Sequence, residues 1–382
     1  MSHRPKLIYL VTEDWYFLSH RLPMARAARA AGFEVVVATR IGANGIGGRA
    51  AIEAEGFRVA PLGWRRGSAN PFRELRAVAA IFNLYRRERP DIVHHVAMKP
   101  ALEGSLAAWL AGVPAAVNAL TGLGYLFIGR NGLARALGPA VRCALKFLLA
   151  RGPDWRVVIQ NPDDLDALVA RGIVRRESAV LIPGSGVDLV RFAPSPEPPA
   201  PLTAALAGRM LWDKGVGELV EAARILRRRG VALRIRLAGP EDAENPAAIP
   251  RATLQGWVNE GAVEWLGQVK DVAALWRETA VAVLPSYREG LPMALLEAAV
   301  AGRPMVASDV PGCREIVKHN ETGLLVPARD PAALADALAL LAGDAALRRR
   351  LGAAARLLAE QRFGEAAVAD ATVDLYRALS RR

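Results

Sequence analysis

The sequence predicts an α/β chain built as two doubly wound domains, and three observations carry that reading. Short apolar runs alternate with longer helix-period stretches through the first half, a proline-dense segment interrupts them near residues 192–202, and the alternation then begins again. Alternating strand and helix patterns build parallel sheets covered on both faces. A length of 382 residues also exceeds what one hydrophobic core usually spans. The expected domains are 1–190 and 203–363, with 364–382 forming a helix that packs back on the first.

In the first domain the strands read as Leu7–Val11, Glu34–Ala38, Asp91–His95, Ala115–Asn118, Arg156–Gln160 and Ala179–Ile182. Helices are expected at Leu22–Ala31, Pro71–Arg87, Ala101–Ala111 and Asp163–Ala170. Pro23 suits a first helical turn, where its missing N–H costs nothing. The run from Phe192 to Leu202 holds five prolines, which disfavour both helix and central strand and make a stiff connector. Beyond it, strands read as Leu202–Gly208, Leu233–Ala238, Val263–Leu266, Val281–Leu284 and Pro304–Ala307. Helices are expected at Gly215–Arg229, Asp271–Glu278, Leu291–Ala301 and Pro331–Leu341, and Gly343 precedes a long helical tail.

Composition narrows the function. An apolar fraction of 52% leaves little room for extensive disorder. Cys143 and Cys313 are too few for a disulfide scaffold or a zinc site, which points to a reducing compartment. The apolar stretch Leu7–Val11 is too short for a signal peptide, and no run of about 18 apolar residues suggests a spanning helix. The expectation is a cytoplasmic protein. The net charge of +12 is uneven: residues 1–190 carry 25 Lys/Arg against 15 Asp/Glu, and residues 191–382 carry 25 against 23. A basic first half attracts anionic membrane surfaces or phosphorylated ligands, although solubilisation or genomic composition gives the same excess. Nucleic acid is not an expected partner, because no zinc module, RNA-binding strand motif or aromatic-rich basic ribbon is present.

The segment Pro285 to Glu297 follows an apolar run and leads into an apolar helix, so Glu289, Gly290 and Leu291 fall where a buried strand ends. Ligands of open α/β sheets bind there, and free N–H groups at a helix start attract anions. Glu297 lies eight residues further along. Arg209 and Lys214 sit between the first strand and first helix of the second domain, where a rigid fork and a mobile point charge suit a diphosphate. Gly215 lets that helix start close to a ligand. The segment Ile182 to Phe192, with Asp188, either reaches the ligand or aims the chain into the connector. No P-loop occurs, and Thr12-Glu13-Asp14-Trp15-Tyr16 replaces the glycine fingerprint of dinucleotide dehydrogenases.

In the first domain, Asp14, Ser19 and His20 follow the first strand, His94, His95 and Lys99 a later one, and Thr121-Gly122-Leu123-Gly124 another. A histidine at such an edge can donate to a sugar hydroxyl or a leaving phosphate. Alternation along the strand sends one of His94 and His95 into the sheet packing. From Leu123 to Leu149, Tyr125, Phe127 and Ile128 precede Arg130, Arg135, Arg142 and Lys146. A bilayer-surface helix and a buried helix with one wet face both give this pattern.

These residues resemble glycosyltransferase family 4 over essentially the full length. The marks are Glu289-x7-Glu297, Arg209, Lys214 and Gly186-Val187-Asp188 with Phe192. The resemblance implies the GT-B fold, two facing Rossmann-like domains with an interdomain cleft, and retaining transfer from a nucleotide diphosphate sugar, UDP-linked. It implies that Arg209 and Lys214 hold the diphosphate and that Glu289 contacts the transferred sugar beside the Gly290–Leu291 backbone. Glu297 then binds the ribose, and no metal or other cofactor is required. Ser19-His20-Arg21-Leu22-Pro23, Lys99-Pro100 and Thr121-Gly122-Leu123-Gly124 resemble a bacterial branch that extends lipid-diphosphate-linked sugars in surface glycan assembly. His20, His94, Lys99 and Thr121 become acceptor-side candidates. The implied partners are a nucleotide sugar, a lipid-linked acceptor and the anionic cytoplasmic face of the inner membrane. Two features depart from that pattern. His94-His95-Val96 replaces a His-x-His arrangement, so no general base is assigned, and the paired-glycine loop after the first strand is absent. A nucleotide-sugar epimerase of related architecture and a non-catalytic sugar-binding protein are the other readings.

Overall fold

The computed structural model describes residues 4–42, 48–64, 70–122, 143–149, 152, 154–243 and 245–381. Two compact units emerge, Met1–Gly186 together with Glu365–Arg382, and Val187–Gly364. The expectation for residues 123–142, including Gly124 and Arg130, lies outside the described residues.

The first unit holds β1 (Lys6–Glu13), β2 (Glu34–Arg40), β3 (Arg58–Pro61), β4 (Ile92–Val96), β5 (Ala115–Leu120), β6 (Trp155–Ile159) and β7 (Ala179–Leu181). They form one sheet in the order β3-β2-β1-β4-β5-β6-β7, with every pairing parallel. Parity along β1 divides the core: Leu7, Tyr9 and Val11 face one side with Phe17, Phe57 and Tyr376, while Ile8 and Leu10 face the other with Ile81 and Tyr85. The last helix, Glu365–Ser380, packs on Leu22–Ala30, and the Tyr376 and Tyr9 hydroxyls share a 2.7 Å hydrogen bond. Strand β3 and the helices Asp14–His20 and Arg49–Ala54 add to the elements expected. Each is too short to show a period.

The second unit holds β8 (Leu202–Ala207), β9 (Leu233–Ala238), β10 (Glu264–Gly267), β11 (Val281–Leu284), β12 (Met305–Ser308) and β13 (Gly323–Val326). Their order is β10-β9-β8-β11-β12-β13, again all parallel. The proline-dense connector belongs to this unit. Arg303 donates to the Ser195 hydroxyl and to the Pro196 carbonyl at 3.2 Å, and Arg348 pairs with Glu197.

Burial has a consequence for stability. His95 is fully buried between Asn118 and the Tyr85 hydroxyl, and burial pulls its imidazole down to about 4. His94 is pushed well below the ordinary value for the same reason. Both rings stay neutral in the fold, whereas the unfolded chain takes up protons below about pH 6.5. The stability they lend is therefore complete above that pH and drains away as pH falls towards the folded values. Urea denaturation of His95→Gln between pH 6.5 and 5 is expected to show a shallower dependence, by up to one proton or about 1.4 kcal/mol per pH unit. An unchanged slope would refute the assignment.

Candidate functional site

In the second unit the chain runs outward from β8 through β9 to β10, then returns to lay β11 on the other side of β8. Strand order reverses between β8 and β11, and the loops at the carboxyl ends of those two strands flank the crevice that such a reversal opens. Those loops are Gly208–Gly215 and Pro285–Pro292. They bring together Arg209, Lys214, Glu289, Gly290 and Leu291, residues up to 82 positions apart in sequence.

Each cation is already held by a carboxylate. Lys214 Nζ lies 2.6 Å from Glu289 Oε1, with the two side chains 24% and 10% exposed. Arg209 donates to Asp242 Oδ2 at 2.6 Å. The sequence points to the two cations without naming a partner for either, and Asp242 is not among its candidates. The signal for it was Gly239-Pro240-Glu241-Asp242, a turn-and-acid sequence at the carboxyl end of the strand beside β8. The backbone is drawn equally tight. Gly215 has φ +71, and a Cβ there would sit 2.1 Å from the Pro285 carbonyl oxygen. Gly312 has φ +80, and its Cβ would lie 2.5 Å from the Gly290 oxygen. Tyr287 N–H donates to the Asp213 carbonyl at 2.9 Å, and its hydroxyl donates to Glu218 at 2.6 Å.

One expectation needs correction. The helix after this loop spans Met293–Val300 and does not begin at Gly290–Leu291. Pro292 occupies the N-cap, and a proline biases the residue before it away from helical dihedrals, so Leu291 stays outside. Gly290 and Leu291 belong to the approach to the helix. Glu297 sits within it, half-buried, accepting from Trp276 Nε1 at 3.3 Å. Burial pushes its carboxyl up to about 7, against the Trp276 bond and the field of Arg191. Cys313 is buried close enough to feel Glu289, and burial drives its thiol well above the ordinary range, which makes it unreactive. Asp188 accepts from the N–H groups of Val190 and Arg191, both at 2.9 Å, which makes it a turn-former at the start of the connector.

In the first unit the equivalent reversal lies between β1 and β4. Ser19 and His20 follow β1 at that edge; the Ser19 hydroxyl meets His20 Nδ1 at 2.7 Å, and the ring stacks on Tyr16 at 4.1 Å. Asp14 is fully buried and accepts from Gly42 N–H at 3.0 Å, tying down the loop after β2. His94 does not reach the edge. It is 2% exposed, hydrogen-bonded to the Tyr376 hydroxyl and stacked on Tyr9. Both faces of this sheet are covered, so His94 and His95 are each buried, on opposite sides, and neither stands open to an acceptor. Lys99, in the first turn of the helix Met98–Ala111, pairs with Glu74 at 2.6 Å and Glu103 at 3.4 Å. Burial raises the Glu103 carboxyl to about 8. Lys99 and Glu74 line a cavity of about 370 Å³ together with Leu62, Trp64, Arg73 and Arg76. Thr121 is half-buried just past the end of β5. Among the described residues no group of three or more His, Cys, Asp or Glu could hold a metal ion.

Two family models match the two units separately. Residues 6–151 match "Glycosyl transferase 4-like", and residues 201–344 match "Glycosyl transferases group 1". The chain is 28% identical over 311 residues to N,N'-diacetylbacillosaminyl-diphospho-undecaprenol alpha-1,3-N-acetylgalactosaminyltransferase of Campylobacter jejuni, covering 78% of this chain and 79% of that protein. Among solved structures, sucrose-phosphate synthase from Thermosynechococcus elongatus superposes with a TM-score of 0.80 at 22% identity, over 98% of this chain and 99% of the other. Anabaena HepE in complex with UDP-glucose gives 0.77 at 18% identity, over 99% of this chain and the whole of the other.

Proposed function

We propose a donor, an acceptor and a set of residue roles for a chain that is a GT-B glycosyltransferase related to the family 4 enzymes of bacterial lipid-linked oligosaccharide and polysaccharide assembly. The donor is a nucleotide diphosphate sugar, UDP-linked, carrying a hexose or N-acetylhexosamine. The acceptor is a sugar on a lipid diphosphate. The observation that carries this reading is the pair of cations at the β8/β11 reversal, Arg209 and Lys214, each kept in place by a carboxylate. Preorganised cations of this kind stabilise a dianion without reorganising as it departs. The name of the Campylobacter relative, a transferase acting on a diphospho-undecaprenol sugar, supports the acceptor class, and the UDP-glucose complex of HepE supports the donor class.

In this mechanism Arg209 and Lys214 bind the diphosphate, Glu289 binds the transferred sugar, and Glu297 binds the ribose. The acceptor hydroxyl oxygen bonds to the anomeric carbon on the face from which the phosphate leaves. As the old C–O bond breaks, its electron pair stays with the phosphate, whose oxygen takes the hydroxyl proton. Configuration is retained, and no protein base is needed. Catalysis rests on positioning and charge stabilisation. His20, Lys99 and Thr121 remain the acceptor-side candidates; His94, buried against Tyr376 and Tyr9, is read as a packing residue.

The reading includes peripheral docking at the cytoplasmic face of the inner membrane. The helix Pro71–Glu88 exposes Phe72 and Leu75 at 78% and 67%, with Arg73, Arg76, Arg86 and Arg87 also exposed along it. Apolar side chains flanked by arginines suit an anionic bilayer surface. No helix among the described residues is long and apolar enough to cross a membrane. Replacing both Phe72 and Leu75 by Ser is expected to weaken binding to anionic vesicles about tenfold or more, measured by flotation. Undiminished flotation would remove this part of the reading.

The decisive experiment incubates the protein with a panel of nucleotide sugars and undecaprenyl-diphosphate-linked sugars, read by mass spectrometry. The expected result is an acceptor heavier by one hexosyl or N-acetylhexosaminyl unit, with free UDP appearing only when acceptor is present. Interconversion of the sugar without acceptor would replace this reading with epimerisation.

A further inference from the structure

Behind Glu297 lies a chain of hydrogen bonds that reaches the proline-dense connector. Trp276, at the end of the helix Val272–Arg277, is 1% exposed, and its indole N–H donates to Glu297 Oε2 at 3.3 Å. Its carbonyl, which also accepts from the Thr279 N–H at 3.3 Å, receives Arg303 Nε at 2.9 Å. Arg303 is 3% exposed, six residues beyond Glu297, and its Nη2 donates to the Ser195 hydroxyl and the Pro196 carbonyl. Glu197 acts on Arg303 through its field while pairing with Arg348, and a buried guanidinium in no direct carboxylate contact is costly unless its donors are spent on fixed acceptors. Here those acceptors are the backbone of the tryptophan and the connector.

We propose that Trp276 is a positioning residue for the nucleotide: its indole N–H, held in place by Arg303, orients the Glu297 carboxylate towards the vicinal hydroxyls of the donor's ribose. The proposal rests on the assignment of Glu297 to the ribose. An indole hydrogen bond to one carboxylate oxygen fixes the plane of the group and leaves the second oxygen to accept from the ligand. It also favours the charged form in a place where burial disfavours it, since the carboxyl stands near 7 even with that bond. The other charged groups around this helix are committed elsewhere. Arg277 pairs with Asp271, Arg314 with Asp309, Glu315 with Arg362, and Arg356 with Glu360 and the Val300 carbonyl. Arg191 acts on Glu297 through its field.

Trp276→Phe keeps the ring and removes the donor. The expected result is a rise of about tenfold in the donor KM with kcat little changed, the loss of one hydrogen bond to a charged group. The acidic limb of kcat/KM should move to higher pH, because without the indole the carboxylate forms less readily. A residue that merely supports the fold would lower the amount of active protein and leave that limb in place. Arg303→Lys, which keeps the charge but not the fork, is expected to move both readouts the same way by less, and it serves if Trp276→Phe does not fold. Binding of UDP and of 2',3'-dideoxy-UDP, compared by calorimetry, separates the two levels of the reading. If Glu297→Gln weakens UDP more than the dideoxy analogue while Trp276→Phe and Arg303→Lys leave KM and the acidic limb unmoved, the positioning role is overturned and the ribose assignment stands. If Glu297→Gln weakens neither, the ribose assignment itself fails.

Discussion

Lys214→Ala is expected to lower kcat for sugar transfer about a thousandfold while the protein remains folded, and Glu289→Ala to do nearly the same. Loss of one preorganised group facing a developing anion typically costs about 10² to 10³ in kcat, and Lys214 contributes a full charge. Its Nζ is 2.6 Å from Glu289 Oε1, with 24% of the side chain exposed, so it meets solvent on one side and its partner on the other. The same contact makes each residue the other's counter-charge. Removing Lys214 leaves Glu289, 10% exposed, facing no cation at that distance. Some stability is lost with it, but less than for a fully buried pair. The two effects separate in a double variant: if the residues act as one unit, Lys214→Ala with Glu289→Ala is no slower than the worse single change. Steady-state kinetics with a lipid-linked acceptor, alongside thermal denaturation, would decide. Near-normal turnover in either single variant refutes its assigned role.

Strands β8 and β11 were legible because strands buried on both faces read as continuous apolar runs, and β9 because its apolar residues alternate with Arg234 and Arg236; Leu233–Ala238 and Val281–Leu284 fall where expected. Strand β3 was not, since Arg58-Val59-Ala60-Pro61 has two apolar inward residues and ends on a proline. The acidic segment and the two cations were legible as a set because topology alone brings the ends of β8 and β11 side by side. What periodicity does not contain is the partner of each charge. Asp242 comes from the loop after β9, 33 residues from Arg209 in sequence, and only the twist and spacing of the strands bring the two together. His94 shows the reverse: its neighbours suggested an edge, whereas the helix Glu365–Ser380 closes over it through Tyr376, 282 residues away. A helix that returns from the far end of the chain is visible as a helix, but the side chains it covers are not.

Gly215→Ala is expected to disable the site from the backbone outward, although Gly215 carries no chemistry. Its φ of +71 lies in the left-handed region, where an alanine costs about 1 kcal/mol. The larger effect is steric. The added Cβ would stand 2.1 Å from the Pro285 carbonyl oxygen and 2.7 Å from its carbon. Backbone atoms cannot swing aside as a flexible side chain does, so the loop after β8 and the loop after β11 must part. Lys214 precedes the substituted residue and Glu289 follows Pro285, so their ion pair is stretched by that movement. The expected outcome is a destabilisation of about 3 kcal/mol, in the upper range for a single substitution, with transfer falling at least about a hundredfold. Gly230→Ala is the control that isolates the cause. Gly230 has φ +70, and nothing lies within 4 Å of where its Cβ would be, so it bears the dihedral cost without the collision. If the two variants lost the same stability and kept the same kcat, the tight junction between the β8 and β11 loops would not be what holds Lys214 against Glu289, and the preorganisation assigned to these cations would need another source.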